Sequence, residues 1–158
     1  MQKMDRDVAI TETMQALRRI FKAIQDYSQD VYTQFGITGP QLWVLKTIAE
    51  NGSLPLGELS KKMYLHPSTI TRVVDRMEQK GYMQRERSKE DRRVISVCLT
   101  PVGEALAKTA PSPAQGKMIH GLNKLGEKEL STIYHSVQKL VEIMEVQDLE
   151  VTFFFHQD

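Results

Sequence analysis

The chain has a single cysteine, Cys98, so it can form no disulfide within itself, and a lone thiol fits a reducing compartment. It has no apolar run near the ~18 residues that a membrane span requires, and Met1 to Asp7 is charged rather than apolar. Both features point to the cytoplasm. The four histidines, His66, His120, His135 and His156, show no i,i+4 pair and no cysteine at ligand spacing, which argues against a built-in metal site. A Gly-rich phosphate loop, a nucleophile elbow and a convergent set of titratable residues are all missing, so no enzyme and no cofactor are expected. The net charge is only +1, which looks poor for a partner of a polyanion. What remains is an ordinary soluble chain: 158 residues, 41% hydrophobic and 26% charged, enough for one domain with a real core.

The informative stretch runs from Tyr64 to Thr100. Pro67 opens a helix, its missing N–H costing nothing in a first turn, and Gly81 ends it. At about 100° per residue, Ile70, Val73, Val74 and Met77 share an apolar arc, while Ser68, Thr71, Arg72, Asp75 and Arg76 lie opposite. Short hydroxyls, including Thr69, near the helix start and two arginines further along are what a helix entering the major groove needs. Small residues let the backbone approach, and Arg reaches guanine edges or phosphate. Such a face also suits plain solvation. Asp75 would repel phosphate there, and pairing with Arg72 or Arg76 is the favoured remedy.

Two β-rich runs follow, Tyr82 to Arg87 and Val94 to Leu99, separated by Ser88-Lys89-Glu90-Asp91-Arg92-Arg93. This predicts a hairpin with a basic tip, placed where arginine can enter a narrow minor groove. A two-stranded hairpin is marginal alone and must lean on the helices before it. Charge follows the motif. From Arg72 to Arg93 eight basic residues face five acidic ones, a local +3, so the rest of the chain sums to −2. Upstream, Leu54 to Leu65 predicts one short helix with Leu56, Leu59 and Met63 at helical spacing, and Tyr64-Leu65-His66 then forms the turn.

The run Ser68 to Tyr82, then Asp91-Arg92-Arg93, then Leu99-Thr100-Pro101-Val102-Gly103 resembles the MarR family of bacterial transcription regulators, and the order of signals spans nearly the whole chain. The resemblance implies a mainly α fold with a small antiparallel β-hairpin wing, a winged helix-turn-helix flanked by long N- and C-terminal dimerisation helices. It implies a sequence-specific, homodimeric DNA-binding regulator, a repressor released by a small aromatic or phenolic ligand, on double-stranded DNA carrying an inverted repeat. The open face of the helix begun by Pro67 is expected to put Ser68, Thr69, Thr71, Arg72 and Arg76 in the major groove. Lys89, Arg92 and Arg93 would extend to the minor groove or flanking phosphates, and Asp91 would steady Arg93. Thiol-sensing members keep their cysteine near the N-terminal helix, unlike Cys98, which is expected to be structural.

Around this motif, residues 1–36 are expected to form a dimerisation helix, 37–100 the winged region, and 101–158 the C-terminal dimerisation helices and tail of one compact domain. The first helix, roughly Val8 to Phe35, carries Ile10, Met14, Leu17, Phe21, Ile24, Val31 and Phe35 on one stripe, more than a small core needs. Thr38 or Gly39 with Pro40 starts the next, where Gln41 is a candidate phosphate contact beside free backbone N–H groups. Tyr27, Tyr32 and Trp43 are candidate walls of a ligand pocket, although aromatics at helical spacing more often belong to the core. Thr100 and Pro101 start a further helix, Pro111 and Pro113 break it, and a last helix follows Gly126. The Phe153-Phe154-Phe155 tail is expected to pack on a partner subunit or cover the dimer core. The alternative reading is a winged-helix protein-interaction module, or a non-specific DNA-binding protein.

Overall fold

Thr38 and Gln41 cap each other at the start of the helix that organises the core. The Thr38 hydroxyl accepts from the Gln41 N–H at 3.3 Å, and the Gln41 amide oxygen accepts from the Thr38 N–H at 3.1 Å. The helix they open, α2 (Gly39–Asn51), buries Pro40 through Leu45 and Ile48, so it is enclosed on most of its sides. The computed structural model describes residues 5–151, so the Phe153 to Phe155 tail lies outside the described residues.

Before α2 comes α1 (Arg6–Phe35), ended by Gly36 in the left-handed conformation at φ +67°. After it come β1 (Leu54–Pro55), α3 (Leu56–Met63), α4 (Pro67–Gln79), β2 (Met83–Arg87) and β3 (Ile95–Leu99). The C-terminal part is helical: α5 (Pro101–Thr109), α6 (Ala114–Leu122) and α7 (Glu127–Ile143). Thr100 caps α5 as expected, accepting from the Gly103 N–H at 3.1 Å. The double-proline break separates α5 from α6, and Pro113 stands at the N-cap of α6.

The sheet has three strands where the sequence predicted two. Its order is β1-β3-β2, all antiparallel, with Leu54 opposite Val97 and Pro55 opposite Ser96. The predicted helix over Leu54 to Leu65 is therefore wrong at its start. Leu54 and Pro55 form an edge strand, and the helix begins at Leu56. A proline is tolerated in an edge strand, and its fixed φ near −59° then serves the N-cap of α3.

Leu42, Leu45, Ile48, Leu59, Met63, Ile70, Val74, Met77 and Val97 are fully buried together, so α2, α3, α4 and β3 share one core. The outer helices contrast with it. Of the α1 stripe only Ile24 and Val31 are buried, while Ile10, Met14 and Phe21 are 53%, 43% and 48% exposed. Helix α7 buries no residue at all.

Candidate nucleic-acid interface

The turn between α3 and α4 is set by Tyr64, a non-glycine residue at φ +56° whose N–H closes the end of α3 on the Lys61 carbonyl. His66 then caps α4, a role the sequence did not reveal. Its Nδ1 accepts from the Ser68 N–H at 3.3 Å and lies 2.8 Å from the Ser68 hydroxyl oxygen. Imidazole is an uncommon cap, so only the Pro67 that follows it signalled the helix start.

On α4 the predicted arc holds. Ile70, Val73, Val74 and Met77 are buried. Ser68 and Arg72 are exposed, while Thr69, Thr71 and Arg76 are half-buried along the flanks. Thr71 donates its hydroxyl proton to the Pro67 carbonyl at 2.9 Å, which leaves its oxygen as an acceptor on that face.

The Asp75 carboxylate is held from outside its own helix. Its partner is Arg85 on β2, whose guanidinium lies 2.6 Å from the Asp75 carboxylate. The same guanidinium donates to Glu78, one turn further along α4, and the Arg85 backbone N–H donates to Glu78 as well at 3.0 Å. The sequence did not point to Arg85, because a partner on a neighbouring strand has no fixed sequence spacing, unlike one on the same helix.

Residues 88–94 close the hairpin tip. The Ser88 N–H donates to the Val94 carbonyl, and the Ser88 hydroxyl oxygen accepts from the N–H groups of Glu90 and Asp91. Asp91 in turn accepts from the Arg93 backbone N–H at 3.0 Å and from its Nε at 3.3 Å. Arg93 is held at its base while 93% of its side chain stays in solvent. Lys89 and Arg92 are exposed beside it.

One expectation fails on burial. Gln41 is 4% exposed, and its amide oxygen is engaged by the Thr38 N–H and by Lys80 Nζ at 3.1 Å. It is a capping residue and has no surface to offer a phosphate. Lys80, placed just after α4, also donates to the Gly36 carbonyl at 2.8 Å, tying the recognition helix to the end of α1.

A cavity of about 1020 Å³ lies between the turn Met63-Tyr64-Leu65 and the C-terminal helices, with Trp43, Met118, Ile119, Leu122, Leu130 and Val141 among its walls. Of the three aromatic residues expected there, only Trp43 is present. Tyr27 instead donates its hydroxyl to the Ser112 carbonyl across the double-proline break, and Tyr32 is 49% exposed. Tyr27 and Tyr32 are five positions apart on α1 and so point about 140° apart around it, toward different neighbours. Cys98 donates to the Gln84 carbonyl at 3.7 Å, and burial pushes its thiol up from the ordinary range.

With this geometry in view, the comparisons with known proteins agree. Residues 37–95 match the MarR family model. Over 142 residues the chain is 30% identical to the HTH-type transcriptional repressor MdtR of Bacillus subtilis (strain 168), covering 90% of this chain and 92% of that one. It is 32% identical over 111 residues to the organic hydroperoxide resistance transcriptional regulator of the same organism, covering 70% and 74% of the two chains. A solved MarR family protein from Bacillus stearothermophilus is 30% identical and superposes with a TM-score of 0.54, covering 89% of this chain and 99% of that one. The chain belongs to the MarR family of winged helix-turn-helix, DNA-binding transcription regulators.

Proposed function

We propose that the protein is a homodimeric repressor that occupies an inverted repeat in duplex DNA and acts by steric occlusion in the cytoplasm, without catalysis. The observation that carries this reading is α4. Its apolar arc is consumed by the core, and its opposite face presents Ser68 and Arg72 to solvent with Thr69, Thr71 and Arg76 at the flanks. Those five residues dock in the major groove. Lys89, Arg92 and Arg93 reach the minor groove or the flanking phosphates, with Asp91 holding Arg93 at the angle it needs.

The dimer is supported by the apolar surface that a single copy leaves uncovered. Leu130, Ile133, Tyr134 and Val137 form an i, i+3, i+4, i+7 stripe on α7, and each is at least 41% exposed. With the α1 stripe they supply the surface on which a second copy packs, so residues 1–36 and 101–158 form the dimer arms around a winged region at 37–100. Two copies related by a twofold axis place two recognition helices about one DNA turn apart, ~34 Å.

Release by a small aromatic or phenolic ligand has the cavity as its support. One wall is the Tyr64-Leu65 turn immediately before α4, so a molecule bound there presses on the entry to the recognition helix. It lowers DNA affinity only if it fits one spacing of the two recognition helices better than the other.

The test is selection of bound duplexes from a random pool by the purified protein at near-physiological salt. Enrichment of an inverted repeat with half-site centres ~10 base pairs apart is expected. A pool that stays random with a folded, dimeric protein overturns the reading.

A further inference from the structure

We propose that Arg85 is a positioning residue for DNA reading: by gripping α4 it fixes the angle between recognition helix and wing, so that Arg93 meets the same stretch of duplex as α4. The proposal rests on the DNA reading above and adds the residue that joins its two halves.

Asp75 and Glu78 are three apart on α4 and therefore share one flank of the helix. Arg85 lies opposite that flank on β2, and its planar fork reaches both carboxylates, one from each terminal nitrogen. Its backbone N–H adds a third contact, to Glu78. The side chain is 25% exposed, so the grip is partly shielded from solvent and salt.

The leverage follows from strand geometry. At its root the hairpin is tied to α4 by the Tyr82 N–H on the Met77 carbonyl, and across its own strands by the Thr100 N–H on the Tyr82 carbonyl. Arg85 is three residues further up the strand, about 10 Å at the usual rise. Above it the ladder runs rigidly to the Arg87–Ile95 pair and then into the tip that carries Arg93. β1 pairs with β3 at Val97 and Ser96, level with Arg85, and holds the hairpin at that height. Arg85 ties the same level to α4, so that the tip keeps one direction relative to that helix.

The same contacts offset half the charge of two carboxylates that would otherwise repel phosphate, and this second effect must be separated from positioning. Lysine keeps the charge but is a single point with no fork, so Arg85→Lys removes the angular grip while retaining that offset. The test is a double-mutant cycle with Arg93→Ala. It uses full-length protein and the duplex that the wild type enriches from a random library.

Arg85→Lys is expected to weaken binding about tenfold in the wild-type background and by no more than about threefold on top of Arg93→Ala, because an arginine that acts through the wing then has only Lys89 and Arg92 left to position. Losses that multiply across the two backgrounds, or an Arg85→Lys affinity equal to wild type, overturn the proposal. Should Arg85→Lys fail to fold by thermal melt, Glu78→Gln, which keeps the Arg85–Asp75 contact, is read in the same cycle with the same expectation. If Arg93→Ala itself binds like wild type, the wing reading fails and this proposal falls with it.

Discussion

A Cβ on residue 103 would stand 2.0 Å from the Tyr82 carbonyl oxygen, so the first turn of α5 lies directly against the root of the wing. The contact is drawn tight by Thr100, whose hydroxyl donates to the Gly81 carbonyl at 2.6 Å while its oxygen caps the Gly103 N–H. Glycine is required here for close approach of two backbones. Gly103→Ala must push α5 away from Tyr82, and the loss of packing is expected to cost about 3 kcal/mol. Urea unfolding measures it, and a variant as stable as the parent would show that α5 can shift freely.

Arg72 and Arg93 should fail in different ways. Arg72 is exposed on the open face of α4, whereas Arg76 is half-buried, so Arg72 is the better placed to reach a base edge. Arg72→Ala is expected to cost about 1–3 kcal/mol of binding and to relax specificity at one position of the half-site. Arg93→Ala should instead weaken binding to all sequences at the wing and reduce the salt slope by about 1 for each wing that loses a phosphate contact. Titrations on the enriched duplex and on single-position variants, at several salt concentrations, separate the two. Identical salt slopes and specificity in both variants would remove the distinction.

Tyr27 carries a testable pH dependence. Burial pushes its phenol from 10.0 up to about 12, and its hydroxyl donates to the Ser112 carbonyl. The unfolded chain therefore loses this proton first. The stabilising contribution is complete below about pH 10 and is lost as the pH rises through about 12. Chemical unfolding of wild type and Tyr27→Phe across that range should give a stability difference that shrinks as pH rises. A difference that stays constant would mean that the phenol does not titrate with folding.

Cys98 should be silent as a redox sensor. Burial raises the thiol, so little thiolate is present near neutrality. Cys98→Ser is expected to bind DNA within about twofold of wild type. Organic hydroperoxide added to wild type should leave affinity unchanged, and a loss of binding prevented by Cys98→Ser would overturn this.

Much of the winged region was legible because its signals are local. Pro67, Gly81 and the spacing of Ile70, Val73, Val74 and Met77 define α4, and the polar run Ser88 to Arg93 marks the hairpin tip. What escaped depends on neighbours distant in sequence. Gln41 looked like a phosphate contact at a helix start, but Lys80, 39 positions away, closes over it. Leu54 and Pro55 became a strand because β3 offers them an edge, which no propensity of two residues could announce. The partner of Asp75 and the walls of the cavity are tertiary facts of the same kind.

The apolar stripes of α1 and α7 lead to the last prediction. Ile133, Tyr134 and Val137 face outward on a helix that buries nothing, while the core of α2, α3, α4 and β3 is complete without them. A charge placed in that stripe should therefore spare the fold and strike the contact between copies. A twofold interface presents each substituted position twice, so Ile133→Asp introduces two buried charges per dimer. Sedimentation at micromolar protein should show a folded monomer with the thermal transition of its winged core retained. Affinity for the enriched inverted repeat should fall by more than about a hundredfold, since a lone recognition helix keeps half the contacts and loses the linkage between half-sites. A dimer that persists with Ile133→Asp would place the second copy on another face of the molecule. Loss of the thermal transition would mean that α7 belongs to the core of its own chain.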